Sequence, residues 1–173
     1  MYRATREDFQ LHLTTLFPEV RLKHYLEIRG GDTADPELAV AQVAFWKGIL
    51  YDPAARREAW NLVAHFTWDE RLRFHHEACR LGTDSRFGAR SVLEIGADLY
   101  RIAAEGLDRQ GESPALLDRM AGLVAPAGGS PGKLLAERWL GEWKRDPARL
   151  IEHGSRLVLR RAGSPGGHLV EDH

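Results

Sequence analysis

Two periodicities share this chain, one confined to its start and the other filling the rest. Phe9, Leu13, Leu16 and Phe17 recur at helical spacing, so residues 6–16 read as a short amphipathic helix that stops before Pro18. From Glu19 to Arg29 the period changes to two. Glu19, Arg21, Lys23, Glu27 and Arg29 fall on one face, and Val20, Leu22, His24, Leu26 and Ile28 on the other, the pattern of a strand packed on one side only. GGDTADP then supplies turn glycines, Asp35 as N-cap and Pro36 at the first helical position. The helix that starts there, to about Tyr51, is apolar nearly all round and therefore calls for neighbours on both faces. Beyond Asp52 the spacing predicts helices over roughly 54–66, 69–81, 86–109, 114–124, 131–143 and 147–159, with Gly82, Gly111 and APAGGSPG between them. The expected architecture is mostly α, one N-terminal β-strand followed by a multi-helix layer. A single strand leaves its own N–H and C=O groups unpaired, so this strand needs partners that the pattern does not show.

Length and composition suit one domain, residues 1–160, with 161–173 a tail too poor in apolar residues to pack. A net charge of −1 with both signs interspersed gives no field that favours nucleic acid. One cysteine, Cys79, leaves no internal disulfide framework and fits a reducing cytoplasm. MYRATREDFQ lacks the apolar stretch of a secretory signal, and the longest apolar run, Leu38 to Tyr51, is too short to span a bilayer.

The charged face of the strand is the chemically suggestive feature. Glu27 and Arg29 point the same way about 7 Å apart, at ~3.4 Å per residue, and Arg21 and Lys23 extend the row. A carboxylate suits a hard cation such as Mg²⁺, and a guanidinium two positions on suits a phosphate oxygen. The same alternation also fits an edge strand with a solvated, mixed-charge face, where ion pairs contribute about 0 to 1 kcal/mol each. His75 and Cys79 in HHEAC stand at i and i+4, a chelating spacing on a helix, but no second pair accompanies them, and surface histidines with a buried thiol are the plainer reading. Trp46, Trp60, Trp68, Trp139 and Trp143 occupy apolar helical positions expected in a core rather than on a stacking platform. APAGGSPG lacks the strand-before, helix-after lysine context of a phosphate-cradling loop.

HLTTLFPEVRLKHYLEIRGGD, residues 12–32, resembles the plant-type glutamate–cysteine ligases, which also occur in bacteria, and their carboxylate–amine ligase relatives. That family carries a segment of the form HLTT-[IL]-FPEVRLK-x-YLE-x-RGAD ahead of a helix of the form LPAFWVGLLYD. Here QVAFWKGILYD, residues 42–52, stands in that place, and SPGKLLAERWLGEW, 130–143, is similar to the family's later TPAEKLLELYNGEW. The resemblance implies a C-terminal portion of the α+β, glutamine-synthetase-like carboxylate–amine ligase fold. It also implies ATP- and Mg²⁺-dependent joining of L-glutamate and L-cysteine into γ-glutamylcysteine, through a γ-glutamyl phosphate, on the way to glutathione. By the same resemblance Glu27 is a metal ligand, Arg29 contacts the transferring phosphate, and Arg21 and Lys23 serve anion binding.

Departures accompany the matches. GGD replaces GAD, and TADPELAVAQVAFW is looser than the family's counterpart. The family's ATP-binding sheet, most of its metal-binding glutamates and most of its glutamate pocket lie before the HLTT motif. The chain is therefore expected to be inactive alone, with a separate chain supplying the sheet. A non-catalytic helical interaction module, or a gene fragment derived from the enzyme, stands as the alternative.

Overall fold

The computed structural model describes residues 3–31, 34–125 and 129–159, so the expected tail from residue 161 lies outside the described residues. It is mostly helical, and it divides into two compact units, Met1–Thr33 and Ala34–His173.

The first unit opens with α1 (Arg6–Thr14). Thr5 caps it in a reciprocal box with Asp8: the Asp8 N–H donates to Thr5 Oγ1 at 3.1 Å, and the Thr5 N–H to Asp8 Oδ2 at 2.7 Å. The single strand expected over 19–29 is instead a hairpin, β1 (Val20–Leu22) and β2 (Leu26–Ile28), antiparallel with Val20 opposite Ile28, Arg21 opposite Glu27 and Leu22 opposite Leu26. Lys23, His24 and Tyr25 turn the chain, with the Lys23 N–H donating to the Tyr25 carbonyl at 2.9 Å. Folding back lets the strand pair with itself, which answers the question of its missing partner. The alternation survives the turn because facing residues of an antiparallel pair share a face. Thus Val20, Leu22, Leu26 and Ile28 remain together opposite Arg21 and Glu27.

The second unit is built on α2 (Pro36–Leu50), α3 (Pro53–Val63), α4 (Trp68–Leu81), α5 (Val92–Arg109), α6 (Asp118–Val124), α7 (Pro131–Leu140) and α8 (Pro147–Leu159). Asp35 caps α2 as its sequence predicts, accepting from the N–H groups of Glu37 and Leu38 at 3.1 and 3.0 Å. The helix expected from residue 86 begins six residues later. Arg86–Phe87 and Arg90–Ser91 form a two-stranded ribbon, β3 and β4, turned at Gly88 with φ +63°, and Ser91 then caps α5 in a box with Glu94.

Ala44 and Ile49 of α2, Ala55 of α3, Ile102, Ala103 and Leu107 of α5, and Leu117 ahead of α6 form the buried core. Small residues let α2 and α5 meet at backbone distance. A Cβ at Gly48 would lie 2.2 Å from the Ala103 carbonyl oxygen, and one at Gly106 would lie 2.1 Å from that of Gly48. Two expectations fail here. Helix α2 is covered on one side only, with Val40 and Val43 exposed, the latter to 71%. Of the tryptophans only Trp143 is buried, while Trp46, Trp60 and Trp68 are exposed and Trp139 is half-buried. Apolar spacing marks a face that seeks cover without telling which polypeptide provides it.

Candidate functional site

The charged face of the hairpin is organised by its register. Arg21 and Glu27 are directly opposed, and both the Nε and the Nη2 of Arg21 reach the same oxygen, Glu27 Oε2, each at 2.7 Å. Arg21 Nη1 donates to the Thr14 carbonyl at the end of α1, 3.5 Å away. All three nitrogens of this guanidinium are therefore engaged, and among the described residues the bonds to Glu27 go to Oε2, none to Oε1. The bond from Arg21 holds the Glu27 carboxyl below the usual carboxylate range, helped by the charges of Arg21, Arg29 and Lys23 and opposed by desolvation. It is an anion at neutral pH.

Arg29 continues the ladder, its N–H donating to the Glu19 carbonyl at 2.7 Å. It stands two residues from Glu27 along extended backbone, the spacing that sets alternate residues on one face. Its guanidinium lies 4.6 Å from the ring centroid of Phe17, a cation–π distance, and its Nη1 is buried with no hydrogen-bond partner among the described residues. Lys23 sits in the exposed turn. So the structure gathers Arg21, Glu27 and Arg29 on one face, and sets Lys23 at the tip instead of in a straight row.

Sequence reading overlooked Phe17 and the Thr14 carbonyl, which fix the two arginines. An aromatic residue just before Pro18 was the available signal for the first. The second is a backbone group and leaves no mark in composition.

A carboxylate with one oxygen anchored and the other unengaged fits as one ligand of a hard cation. Among the described residues no group of three or more His, Cys, Asp or Glu side chains could enclose a metal. Cys79 is exposed, contrary to the buried thiol expected, and its Sγ lies 4.0 Å from His75 Nε2.

Comparison with known proteins decides the family. The model of glutamate–cysteine ligase family 2 matches residues 1–153. This chain belongs to that family. It is 35% identical over 149 residues to a chloroplastic glutamate–cysteine ligase of Solanum lycopersicum, covering 86% of this chain and 28% of the relative. Its identity to the chloroplastic ligase of Arabidopsis thaliana is 35% over 136 residues, covering 79% and 26%. To ligase A of Oryza sativa subsp. indica it is 31% over 141 residues, covering 82% and 29%. The chain thus spans under a third of the length of the curated relatives it matches. As in the sequence reading, no described helix is long and apolar enough to cross a membrane.

Proposed function

We propose that this glutamate–cysteine ligase family chain supplies the Glu27–Arg29 part of an ATP- and Mg²⁺-dependent site that forms γ-glutamylcysteine, the first bond of glutathione. The observation that carries the reading is the half-anchored Glu27 carboxylate, with Arg29 two residues along on the same face. Glu27 would hold Mg²⁺ through Oε1, and the ion when bound would neutralise charge on the ATP phosphates. Arg29, its guanidinium carbon 4.6 Å from the Phe17 ring centroid, would bind oxygens of the transferring phosphoryl group. In the reaction, an oxygen of the glutamate γ-carboxylate attacks the γ-phosphorus and ADP leaves. The cysteine amine then attacks the acyl phosphate carbon, inorganic phosphate departs and the amine loses its proton. Lys23, at the exposed tip, would draw anions towards the face.

The site is shared with another polypeptide, we further propose, one that contributes the remaining ligands and a sheet. The exposed apolar residues of the first unit support this reading. Cytoplasm is the proposed compartment, where a reducing environment suits the exposed thiol of Cys79. The same exposed residues favour a second reading, a non-catalytic interaction module that keeps the docking surface and has lost the chemistry.

Phosphate release dependent on ATP, glutamate and cysteine is the deciding assay. The chain alone is expected to show none, and co-expression with the N-terminal two-thirds of a family ligase to restore it. Glu27→Ala should then abolish turnover in a chain that still folds. Full turnover with Glu27→Ala removes the catalytic reading, and a complex that assembles yet stays inactive leaves the interaction module.

A further inference from the structure

We propose that Phe17 is a positioning residue for Arg29, its ring holding the guanidinium in place without occupying the donors that a transferring phosphate needs. The inference rests on the reading of Arg29 as the phosphate contact and adds what sets its aim. The two arginines of this face are held in opposite ways. Arg21 uses Nε and Nη2 on Glu27 and Nη1 on the Thr14 carbonyl, so its fork is fully engaged. Arg29 meets a ring instead, with its guanidinium carbon 4.6 Å from the Phe17 centroid. Its Nη1 is buried, and among the described residues neither Nε nor Nη2 donates a hydrogen bond. An aromatic face attracts a cation through its quadrupole and takes no N–H, so the Nε–Nη2 edge keeps both donors and the full charge. Two donors fixed side by side in a planar fork suit two oxygens of one phosphate.

The backbone brings the pair together. Phe17 precedes Pro18, which confines its backbone to extended conformations. Two residues on, the Glu19 carbonyl accepts the Arg29 N–H at 2.7 Å. Ring and guanidinium are thus diagonal neighbours where the hairpin begins, a separation that an aromatic and a long side chain can bridge. Placement matters because an arginine loses much rotamer entropy on being fixed, and a partner that fixes it beforehand spares the reaction that loss. A carboxylate partner would fix it as well but would occupy the fork, as Glu27 does for Arg21. Phe17 is 74% exposed, so its side chain contributes little to the packing of its unit.

Turnover by the full chain paired with the N-terminal two-thirds of a family ligase is the readout, expressed per assembled complex. Phe17→Leu keeps an apolar side chain but not the π face, and should lower kcat about five- to thirtyfold with KM for glutamate and cysteine unchanged. Phe17→Tyr keeps the face and should restore turnover. If Phe17→Leu fails to assemble, rings of nearly the same shape decide: mono-, di- and trifluorophenylalanine at position 17 withdraw charge from the face stepwise, and kcat should fall in step. A flat fluorine series overturns the proposal, as do full turnover in Phe17→Leu, a loss confined to KM, or a Phe17→Tyr as slow as Phe17→Leu. Arg29→Gln tests the underlying reading separately. Full turnover in that variant, or none in the wild-type pair, removes the phosphate role of Arg29 and the proposal with it. Lost turnover in Arg29→Gln beside a flat fluorine series leaves the role of Arg29 standing and strikes that of Phe17 alone.

Discussion

The two units of this chain solve the problem of burying apolar residues differently. The helical unit packs α2 against α5 so closely that two glycines are required at the crossing, and it buries Ile102, Ala103, Leu107 and Leu117 completely. In the first unit no described residue is buried. Phe9, Leu11, Phe17, Val20, Leu22 and Leu26 are all exposed around a hairpin of three-residue strands. A two-stranded hairpin is marginal on its own. The unit without a core is the one that carries Glu27 and Arg29. Its candidate chemistry therefore depends on cover from elsewhere, whereas the helical unit has its own reason to fold.

The largest expected effect lies where the packing is tightest. Leu107→Ala removes a fully buried side chain from the α5 face and should cost about 2–5 kcal/mol, read as a lower urea midpoint at unchanged slope. Gly48→Ala drives a methyl into the Ala103 carbonyl, backbone that cannot move aside as a side chain would, and about 1–3 kcal/mol is expected. Should either substitution leave the midpoint where it was, the helical unit would be no better packed than the hairpin and the contrast would fail.

A pH-dependent effect comes next. Asp52 is buried at the start of α3; the bond from Arg109 holds its carboxyl below the usual range, followed by the Ala55 N–H at 2.6 Å, with desolvation opposing. A carboxyl with a lowered native pKa stabilises the fold at pH above its unfolded value, ~3.9, and loses that contribution as pH falls through the native one. Asp52→Asn should therefore be less stable than wild type at pH 7, and the gap between their urea midpoints should close in acid. A gap that persists unchanged at pH 2 would show that the charge of Asp52 is not what holds the Arg109 contact.

Helix starts were the most legible part of the fold, because caps are local chemistry: Asp35-Pro36 opens α2 as read. The Ser91/Glu94 box was equally available, yet the helical spacing of nearby residues concealed the ribbon at 86–91. The hairpin was hidden for a related reason. Its turn, Lys23-His24-Tyr25, contains no Gly, Pro, Asn or Asp, and an antiparallel return preserves the two-residue alternation, so one long strand and two short ones give the same pattern. For the candidate site, residue identities came from the motif, whereas the convergence of Arg21 on one oxygen is a matter of register that only coordinates supply.

The smallest expected effect tests the first unit directly. Leu22 lies on the apolar side of the hairpin, 78% exposed, so Leu22→Ala removes little buried surface from the isolated chain and should shift its urea midpoint by no more than about 0.5 kcal/mol. With a complementing polypeptide present, the same side chain has something to bury against, and each methylene covered is worth about 0.8 kcal/mol. Leu22→Ala should then weaken association, measured by calorimetric titration of the two chains, by roughly one to two powers of ten. A substitution silent in the free chain and costly in the complex would show that the apolar face is an interface. One that is silent in both would mean that cover, and with it the proposed second part of the site, does not come through this side of the hairpin.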